Sequence, residues 1–349
     1  MPLTADVQER TFRGVRRWCH SAALSQDLLQ GVADRVRPIV PYDAAAWLVT
    51  DPATVLFTGG VIEGFEDQVC APWFHNEFWV DDVNKFVHLK GTRRAAVLSR
   101  TTDPARSPRW AEVMRPVGLD AEVRATFDDA RGCWGAAELH RSVGEPDFAA
   151  DEAELLARIA PIVADGLRRV VLERAALADE RADGPGLIVV RPDGTLSAAT
   201  AAGEAWLALL APADSAQQPS PALRTLAALA QDRRGHRLRL RALDGRWVTL
   251  HASRLTGDEG VAVIVEPSRA SDLAALIAQA YGLTPREQQV VLALARGAST
   301  VQLAEALALS PHTVREHIKT AMGKVGVSSR AELVATLFER HTSFAKRTG

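Results

Sequence analysis

The chain has 349 residues, a formal net charge of −2, 47% hydrophobic residues and 24% charged residues, a composition typical of a globular protein with two or three domains. No apolar run reaches the roughly 18–20 residues of a membrane span, and the start MPLTADVQER lacks a signal segment, so we expect a cytoplasmic protein without a membrane partner. Cys19, Cys70 and Cys133 form no CxxC pair, which argues against disulfides and zinc and leaves a redox-sensing thiol open.

The first block, about residues 20–180, combines helical and strand-like patterns. A helical stripe extends from Leu28 to Ile39. The strand-like runs are AAAWLVTD, ATVLFTGG, RRAAVLSRT and GCWGAAELHRS. A long helical stretch over 148–182 closes the block, and Pro161 inside it predicts a kink or a break.

The second block, about residues 184–267, indicates a small sheet with one short helix. GLIVVRPDGTLSAAT predicts a hairpin with a turn at 192–194, and RLRLRALDGRWVTLHASRL predicts a second hairpin around Asp244-Gly245. Leu238 and Leu240 alternate with arginines, so we expect one buried face and one solvated face. AGEAWLALLA is predicted as a helix, APADSAQQPSPAL as a surface loop, and SDLAALIAQAYG as a helical connector.

The third block, residues 283 to about 340, carries unusually complete helix capping signals. Capping boxes are predicted at Thr284 with Glu287, Ser299 with Gln302, and Ser329 with Glu332, and Ser310 precedes Pro311 as a further cap. These signals predict four helices, of which the middle two are joined by about three residues as a helix-turn-helix. The turn ALALS lacks the glycine that many such turns contain.

The third predicted helix has one apolar side and one polar side. Val314, Ile318, Ala321 and Val325 form the apolar stripe. The opposite side carries polar and charged residues over the half that enters a major groove in such motifs, although a solvated surface helix would show a similar face. From Leu283 onward nine Lys/Arg stand against five Asp/Glu, a net charge of +4, which favours a polyanionic partner.

The motifs LTPRE, SPHTVREHIK and KVGVSSRAEL resemble the LuxR/FixJ-type helix-turn-helix of bacterial transcription regulators over about 58 residues. The resemblance implies a four-helix domain that binds double-stranded DNA as a homodimer at a roughly palindromic site. It implies that Arg315, Glu316 and Lys319 face base edges and adjacent phosphates. Glu316 departs from the small or apolar residue often found there, and it could accept from a cytosine amino group or repel phosphates. The full set of predicted DNA-binding residues is Thr313, Arg315, Glu316, Lys319, Thr320, Lys324, Ser329 and Arg330. His317 is predicted to pack rather than to read bases.

The upstream blocks resemble sensory domains. VPYDAAAWLVTDPATVLFTGG, NEFWVDDVNKF and WGAAELHR are similar to a GAF-type sensor, and the second block is similar to a shortened PAS-like fold. The expected fold class is therefore multidomain α+β, with antiparallel α/β sensor domains and an all-α helix-turn-helix domain. We predict a sensor at 1–182, a PAS-like domain at 183–268, a helical linker at 269–282 and the DNA-binding domain at 283–349.

Aromatic residues suggest where a small-molecule effector would bind. Trp47, Trp73, Phe78 and Trp134 are the candidate ligand-binding residues, although each is also a candidate core residue. His75, Glu77, Asp81 and Asp82 could be imagined as a metal cluster, but the region lacks a second histidine at ligand spacing.

No enzyme fingerprint is present in the sequence. We therefore expect no catalytic residue, no metal and no cofactor. Two alternatives remain open from the sequence. One is a small-molecule enzyme or signalling module that uses its helix-turn-helix for protein contacts, and the other is a sigma-factor-like fragment.

Overall fold

The computed structural model describes residues 4–52, 54–65, 69–175, 184–191, 195–210, 220–230, 236–242, 246–256, 260–268, 270–295 and 297–339. Two five-stranded antiparallel sheets, each with its own helices, precede a helical carboxyl-terminal region. The predicted multidomain α+β class is confirmed. The predicted turns at 192–194 and 244–245 lie outside the described residues, as does the side chain of Cys70. Within the described residues, no helix combines the length and apolar character needed to cross a membrane.

The first sheet domain contains strands β1 to β5 and helices α1 to α6. Its elements are α1 (Ala5–Ser21), α2 (Ser25–Val36), β1 (Ala44–Thr50), β2 (Phe57–Glu63), α3 (Cys70–Trp79), α4 (Phe86–Leu89), β3 (Ala95–Val97), α5 (Leu98–Thr101), β4 (Leu119–Asp129), β5 (Gly132–Ser142) and α6 (Ala150–Ala175). The strand order is β2-β1-β5-β4-β3. The first strand therefore pairs with the last, at Ala44 opposite His140.

The two faces of this sheet have different chemistry because neighbouring residues of a strand point to opposite sides. On one face, Val123 and Leu139 join the apolar core formed with α1, α2 and α6. On the other face, Glu122 and Arg124 of β4 are buried with Glu138 of β5 beneath α3 and α4. This second face is apolar toward β1 and β2 and ionic toward β4.

Helix α6 continues through Pro161, so the predicted break in the long helix is wrong. A proline inside a helix removes one backbone hydrogen bond and normally interrupts it. Here buried apolar residues on both sides of Pro161, among them Ile159 and Val163, pack into one continuous core against the sheet. Burial of both halves on the same surface offsets the local cost of the proline.

The second sheet domain repeats the strand order of the first. Its elements are β6 (Gly186–Val190), β7 (Leu196–Ala199), α7 (Ala201–Leu210), α8 (Pro221–Leu229), β8 (His236–Arg241), β9 (Trp247–Arg254) and β10 (Val261–Pro267). The order β7-β6-β10-β9-β8 places the first strand beside the last, as in the first sheet. The predicted surface loop APADSAQQPSPAL is wrong at its end, because Pro221 begins α8 after the cap residue Ser220.

The predicted solvated face of β8 is also only partly correct. Leu238 and Leu240 are buried as expected. Arg239, on the opposite face, reaches the first sheet domain, where its Nη2 lies 2.9 Å from Oδ2 of Asp51. The backbone oxygen of Ala228 accepts a further bond, of 2.7 Å, from Nε1 of Trp79. The arginine face of β8 is therefore not only a solvated surface, because Arg239 contacts the first sheet domain.

The described residues of the carboxyl-terminal region, 270–295 and 297–339, form five helices and a final π-helical turn. These are α9 (Ala270–Ala280), α10 (Pro285–Ala295), α11 (Thr300–Ala306), α12 (Pro311–Val325) and α13 (Arg330–Val334), followed by the turn Ala335–Glu339. At the amino-terminal ends of α11 and α13, both hydrogen bonds of a capping box are present: the cap serine accepts from the backbone N–H three residues later, and the side chain of that residue accepts from the backbone N–H of the serine. At α10, Glu287 accepts from the Thr284 backbone at 2.7 Å and donates to the Thr284 hydroxyl through its own backbone N–H at 3.3 Å. The predicted capping boxes are confirmed.

Helix α9, hereafter the linker helix, is shared between two apolar cores. Leu273 and Leu276 are buried in the core of the first sheet domain, whereas the adjacent Ile277 is buried in the core of the carboxyl-terminal helices. Polar contacts hold the same helix, because the backbone oxygen of Ala280 accepts from Nη1 of Arg168 at 3.1 Å. The linker helix therefore connects the two regions through packing and not only through the chain.

The turn between α11 and α12 takes a left-handed residue without glycine, because Ala308 has a φ of 51°. A side chain in this conformation costs about 1–2 kcal/mol, while glycine costs about 0.5–1 kcal/mol in chain entropy. We therefore expect Ala308→Gly to stabilise the helical region by up to about 1 kcal/mol in urea denaturation. Ala306→Gly, at the exposed last residue of α11, where φ is not positive, is the matched control and should destabilise it by less than about 1 kcal/mol. Equal losses in the two variants would contradict the assignment of strain to Ala308.

Candidate nucleic-acid interface

Helix α12 is held in place by its cap and by its apolar stripe. The Ser310 hydroxyl accepts a 3.1 Å hydrogen bond from the backbone N–H of Thr313, which starts the helix. Val314, Ile318 and Ala321 are buried against the neighbouring helices, as predicted. These contacts leave the opposite side of α12 facing outward.

The outward side of α12 brings together five of the predicted DNA-binding residues. Arg315, Glu316, Lys319 and Thr320 are exposed, and Thr313 is half-buried. Residues three or four positions apart on a helix are surface neighbours, so these side chains form one patch. Arginine and lysine donate to guanine edges and phosphates, and glutamate accepts from a cytosine amino group. We call this patch the α12 face.

Lys324 has a partner inside the helical region. Its Nζ lies 2.6 Å from Oε2 of Glu287 on α10. Burial of Glu287 acts to raise the pKa of its carboxyl, but hydrogen bonds from Lys324 and Thr284 outweigh it and hold that pKa below its usual range. The ion pair joins α10 to α12, so a DNA phosphate would compete with Glu287 for this lysine.

Ser329 and Arg330 are exposed but already take part in local contacts. The Ser329 hydroxyl accepts from the backbone N–H of Glu332 at 3.1 Å as the cap of α13. Nη1 of Arg330 donates to the hydroxyl of Thr300 at the start of α11, at 3.1 Å. Both residues thus stabilise the arrangement of α11 and α13. His317 is half-buried beside the apolar stripe, in agreement with a packing position.

The four aromatic residues predicted to bind an effector do not line one pocket. Trp47 is buried on the α6 side of the sheet, where it stacks on Phe127 with ring centroids 6.0 Å apart. Trp73 and Phe78 lie on the opposite side, packed around Phe57. The separation follows from the alternation of side chains along a strand, which the aromatic count in the sequence does not reveal.

Two cavities lie next to these aromatic residues. Trp73 lines a cavity of about 30 Å³ with apolar neighbours and the carboxylate of Glu138. Trp134 lines a cleft of about 70 Å³ between the two sheet domains, and Leu276 of the linker helix lies at the same cleft. The cleft beside Trp134 therefore borders both sheet domains and the linker helix.

The described cysteines are poor candidates for redox sensing. Burial raises the pKa of Cys19 to about 12 and that of Cys133 to about 11, and both are free thiols. Because the thiolate is the reactive form, neither side chain reacts readily near neutral pH.

A buried ionic cluster that the sequence does not predict lies beneath α3 and α4. Its members are Glu77, Asp82, Arg109, Glu122, Arg124 and Glu138. In the sequence, EVRAT and AELHR have the alternation of a half-solvated strand, so the charged residues were not recognised as buried. Of the imagined metal cluster, Glu77 and Asp82 belong here, while His75 and Asp81 are exposed.

Comparisons with known proteins concern mainly the carboxyl-terminal helices. Residues 282–337 match the family described as "Bacterial regulatory proteins, luxR family". The chain is 44% identical over 57 residues to the transcriptional regulatory protein UhpA of Escherichia coli (strain K12), covering 16% of this chain and 29% of UhpA. It is 42% identical over 55 residues to the spore germination protein GerE of Bacillus subtilis (strain 168), covering 16% of this chain and 74% of GerE.

Among solved structures, the GAF domain of an Acinetobacter phosphoenolpyruvate-protein phosphotransferase aligns with 48% of this chain and 96% of that domain. Its TM-score is 0.33 and its sequence identity is 11%. The chain spans less than a third of the length of UhpA. The family match over residues 282–337 thus covers α10 to α13, including the α12 face.

Proposed function

Because the chain belongs to the luxR family of bacterial regulatory proteins, we propose that the whole protein is a sequence-specific DNA-binding transcriptional regulator that acts as a homodimer. The observation that carries the proposal is the α12 face, on which Arg315, Glu316 and Lys319 are exposed while Val314 and Ile318 of the same helix are buried. A helix of 15 residues is about 22 Å long, and a helix fits the width of the major groove.

In this proposal α12 is the recognition helix. Arg315 and Lys319 donate to base edges and adjacent phosphates, and Glu316 accepts from a cytosine amino group. Thr320 flanks these residues on α12, and Thr313, Lys324, Ser329 and Arg330 lie nearer the sugar-phosphate backbone of the DNA. Residues 283–349 form the DNA-binding domain, residues 1–182 and 183–268 form the sensory part, and residues 269–282 join them.

The linker helix supports a route from sensor to DNA. A small-molecule effector in the cleft beside Trp134 would touch Leu276 of the linker helix directly. Because Ile277 on the same helix belongs to the carboxyl-terminal core, a shift of Leu276 would change the position of the helix-turn-helix. The effector changes DNA affinity only to the extent that it binds one arrangement more tightly than the other.

Arg315→Ala and Lys319→Ala test the docking. Each variant should lose roughly 1–3 kcal/mol of affinity for the cognate site, with relaxed specificity at one base, if its side chain contacts that base bidentately. Gel-shift titration of sites selected from genomic DNA measures the loss. Arg106→Ala, an exposed arginine of the first sheet domain, is the control and should bind as the unmodified protein does. Unchanged affinity in both α12 variants would exclude this docking.

The salt dependence of binding separates DNA recognition from use of the helix-turn-helix as a protein contact. Neutralised phosphates release counterions, so affinity for duplex DNA should fall steeply between about 50 and 200 mM salt. If the amount of protein retained on duplex DNA does not change over this range of salt, the alternative in which the helix-turn-helix contacts another protein would be favoured.

A further inference from the structure

Four charged or titratable residues form a compact group on the buried ionic face of the first sheet. Glu122 of β4 pairs directly across the sheet with His140 of β5, and Arg124 pairs with Glu138. All four side chains are buried. Directly opposed residues in antiparallel strands have Cβ atoms about 4.5–5.5 Å apart, so the four side chains share one small space.

His140 has an unusual environment for a buried imidazole. The residue is 0% exposed, and neither ring nitrogen has a hydrogen-bond partner among the described residues. Its Nε2 is directed toward Glu138, 3.7 Å from Oε1, and the ring of Phe65 lies edge-on with centroids 5.2 Å apart. A buried polar group without a partner costs about 1–3 kcal/mol, so this arrangement calls for a further ligand.

The charges around His140 are not balanced. Four carboxylates, those of Glu77, Asp82, Glu122 and Glu138, contact two guanidinium groups, those of Arg109 and Arg124. A buried surplus of negative charge is costly. A divalent cation would offset it in full.

We propose that Glu138, His140 and Glu122 bind a divalent transition-metal ion of the zinc class. One ligand atom from each of these residues lies within 4.8 Å of the others, a spacing that small side-chain rotations can reduce to metal–ligand distances of about 2.0–2.2 Å. One imidazole nitrogen and carboxylate oxygens form a donor set suited to Zn²⁺, Co²⁺ or Mn²⁺.

The three ligands contribute unequally. Oε2 of Glu138 accepts from Arg124 at 2.8 Å, which orients Oε1 toward His140. Both oxygens of Glu122 accept from arginines, Oε1 from Arg109 at 2.8 Å and from Arg124 at 3.1 Å, and Oε2 from Arg109 at 2.7 Å. Glu138 and His140 are therefore the principal ligands, and Glu122 is a weaker third. Glu138 also lines the cavity beside Trp73.

The test uses the full-length protein, stripped with a chelator and then equilibrated with Zn²⁺. Isothermal titration with elemental analysis should give one ion per chain, and the ion should raise the melting temperature. His140→Gln and Glu138→Gln should each weaken Zn²⁺ binding at least 10-fold. His75→Gln removes an exposed histidine and should leave Zn²⁺ binding unchanged.

Visible absorption of bound Co²⁺ provides a second readout that does not depend on the stability of one variant. The absorption bands of Co²⁺ bound to Glu138→Gln should differ from those of Co²⁺ bound to the unmodified protein. This comparison can be made even if His140→Gln does not fold. Failure of the unmodified protein to retain Zn²⁺ or Co²⁺ would overturn the proposal. Binding by both variants with unmodified affinity and spectrum would overturn it as well, because the ion would then lie elsewhere. Neither outcome bears on DNA binding.

Discussion

Arg124→Met is expected to destabilise the first sheet domain by about 3–5 kcal/mol. The guanidinium of Arg124 contacts Glu77 at 2.6 Å, Glu138 at 2.8 Å and Glu122 at 3.1 Å. Methionine has a similar length but no charge, so the substitution leaves three carboxylates facing one another away from water. Removal of one partner from a buried ionic cluster costs far more than the pair itself contributes, because the remaining charges stay desolvated.

Urea denaturation followed by tryptophan fluorescence measures this loss. Arg115→Met is the matched control, because Arg115 pairs with Asp120 at 3.4 Å with both side chains 42% exposed. Exposed pairs contribute about 0–1 kcal/mol. A loss for Arg124→Met no larger than that of the control would show that the buried ionic cluster does not stabilise the fold.

The effect of Arg124→Met should also depend on pH. Burial acts to raise the pKa of Glu122, but Arg109 and Arg124 outweigh it and hold that pKa well below the usual range. The unfolded carboxyl has a pKa of about 4.3, so the pairing stabilises the native protein fully above this value and progressively less as the pH falls below it. The difference between Arg124→Met and the unmodified protein should therefore narrow in acid.

Leu276→Ala and Ile277→Ala should destabilise different parts of the protein although the two residues are adjacent. Leu276 is buried in the core of the first sheet domain and Ile277 in that of the carboxyl-terminal helices. Truncation of a buried leucine or isoleucine costs about 2–5 kcal/mol. We expect Leu276→Ala to loosen the linker helix from the first sheet domain and Ile277→Ala to loosen it from the other carboxyl-terminal helices.

Two spectroscopic probes separate these effects. All eight tryptophans precede residue 269, so tryptophan fluorescence reports on the sheet domains alone, whereas the far-ultraviolet circular dichroism at 222 nm reports on the helices of both the sheet domains and the carboxyl-terminal region. Leu276→Ala should lower the midpoint of the unfolding transition followed by fluorescence. Ile277→Ala should lower the midpoint followed by dichroism more than the midpoint followed by fluorescence. Identical shifts of both probes in both variants would mean that the first sheet domain and the carboxyl-terminal helices unfold as one unit.

The helical region was the part most accurately predicted from the sequence. Capping is a local interaction, because Ser299 and Gln302 or Ser329 and Glu332 are only three residues apart and their bonds form within one turn. The apolar stripe of α12 is equally local. The left-handed turn residue could not be identified, because Ala308 has no intrinsic preference for that conformation and adopts it under tertiary constraint.

The sheet domains were predicted less completely, because the alternation of residues along a strand does not specify which helices pack on each face of the sheet. Trp47 and Trp73 look equivalent in the sequence but lie on opposite sides of the sheet. Arg109 and Glu122 form a buried pair at 2.7 Å that depends on tertiary packing. Arg239 likewise finds Asp51 only after two domains meet. Such contacts join residues far apart in the chain, so no local pattern encodes them.

The shared strand order of the two sheets has a consequence for synthesis. In each sheet the first strand can complete its pairing only after the last strand has been synthesised, since Ala44 pairs with His140 and Val190 with Val261. At ribosomal speeds of about 5–20 residues per second, the first wait lasts roughly 5–20 s. Throughout it β1 has one unpaired edge, a template for pairing with other nascent chains. The strand order thus leaves a pairing edge of β1 free until β5 has been synthesised.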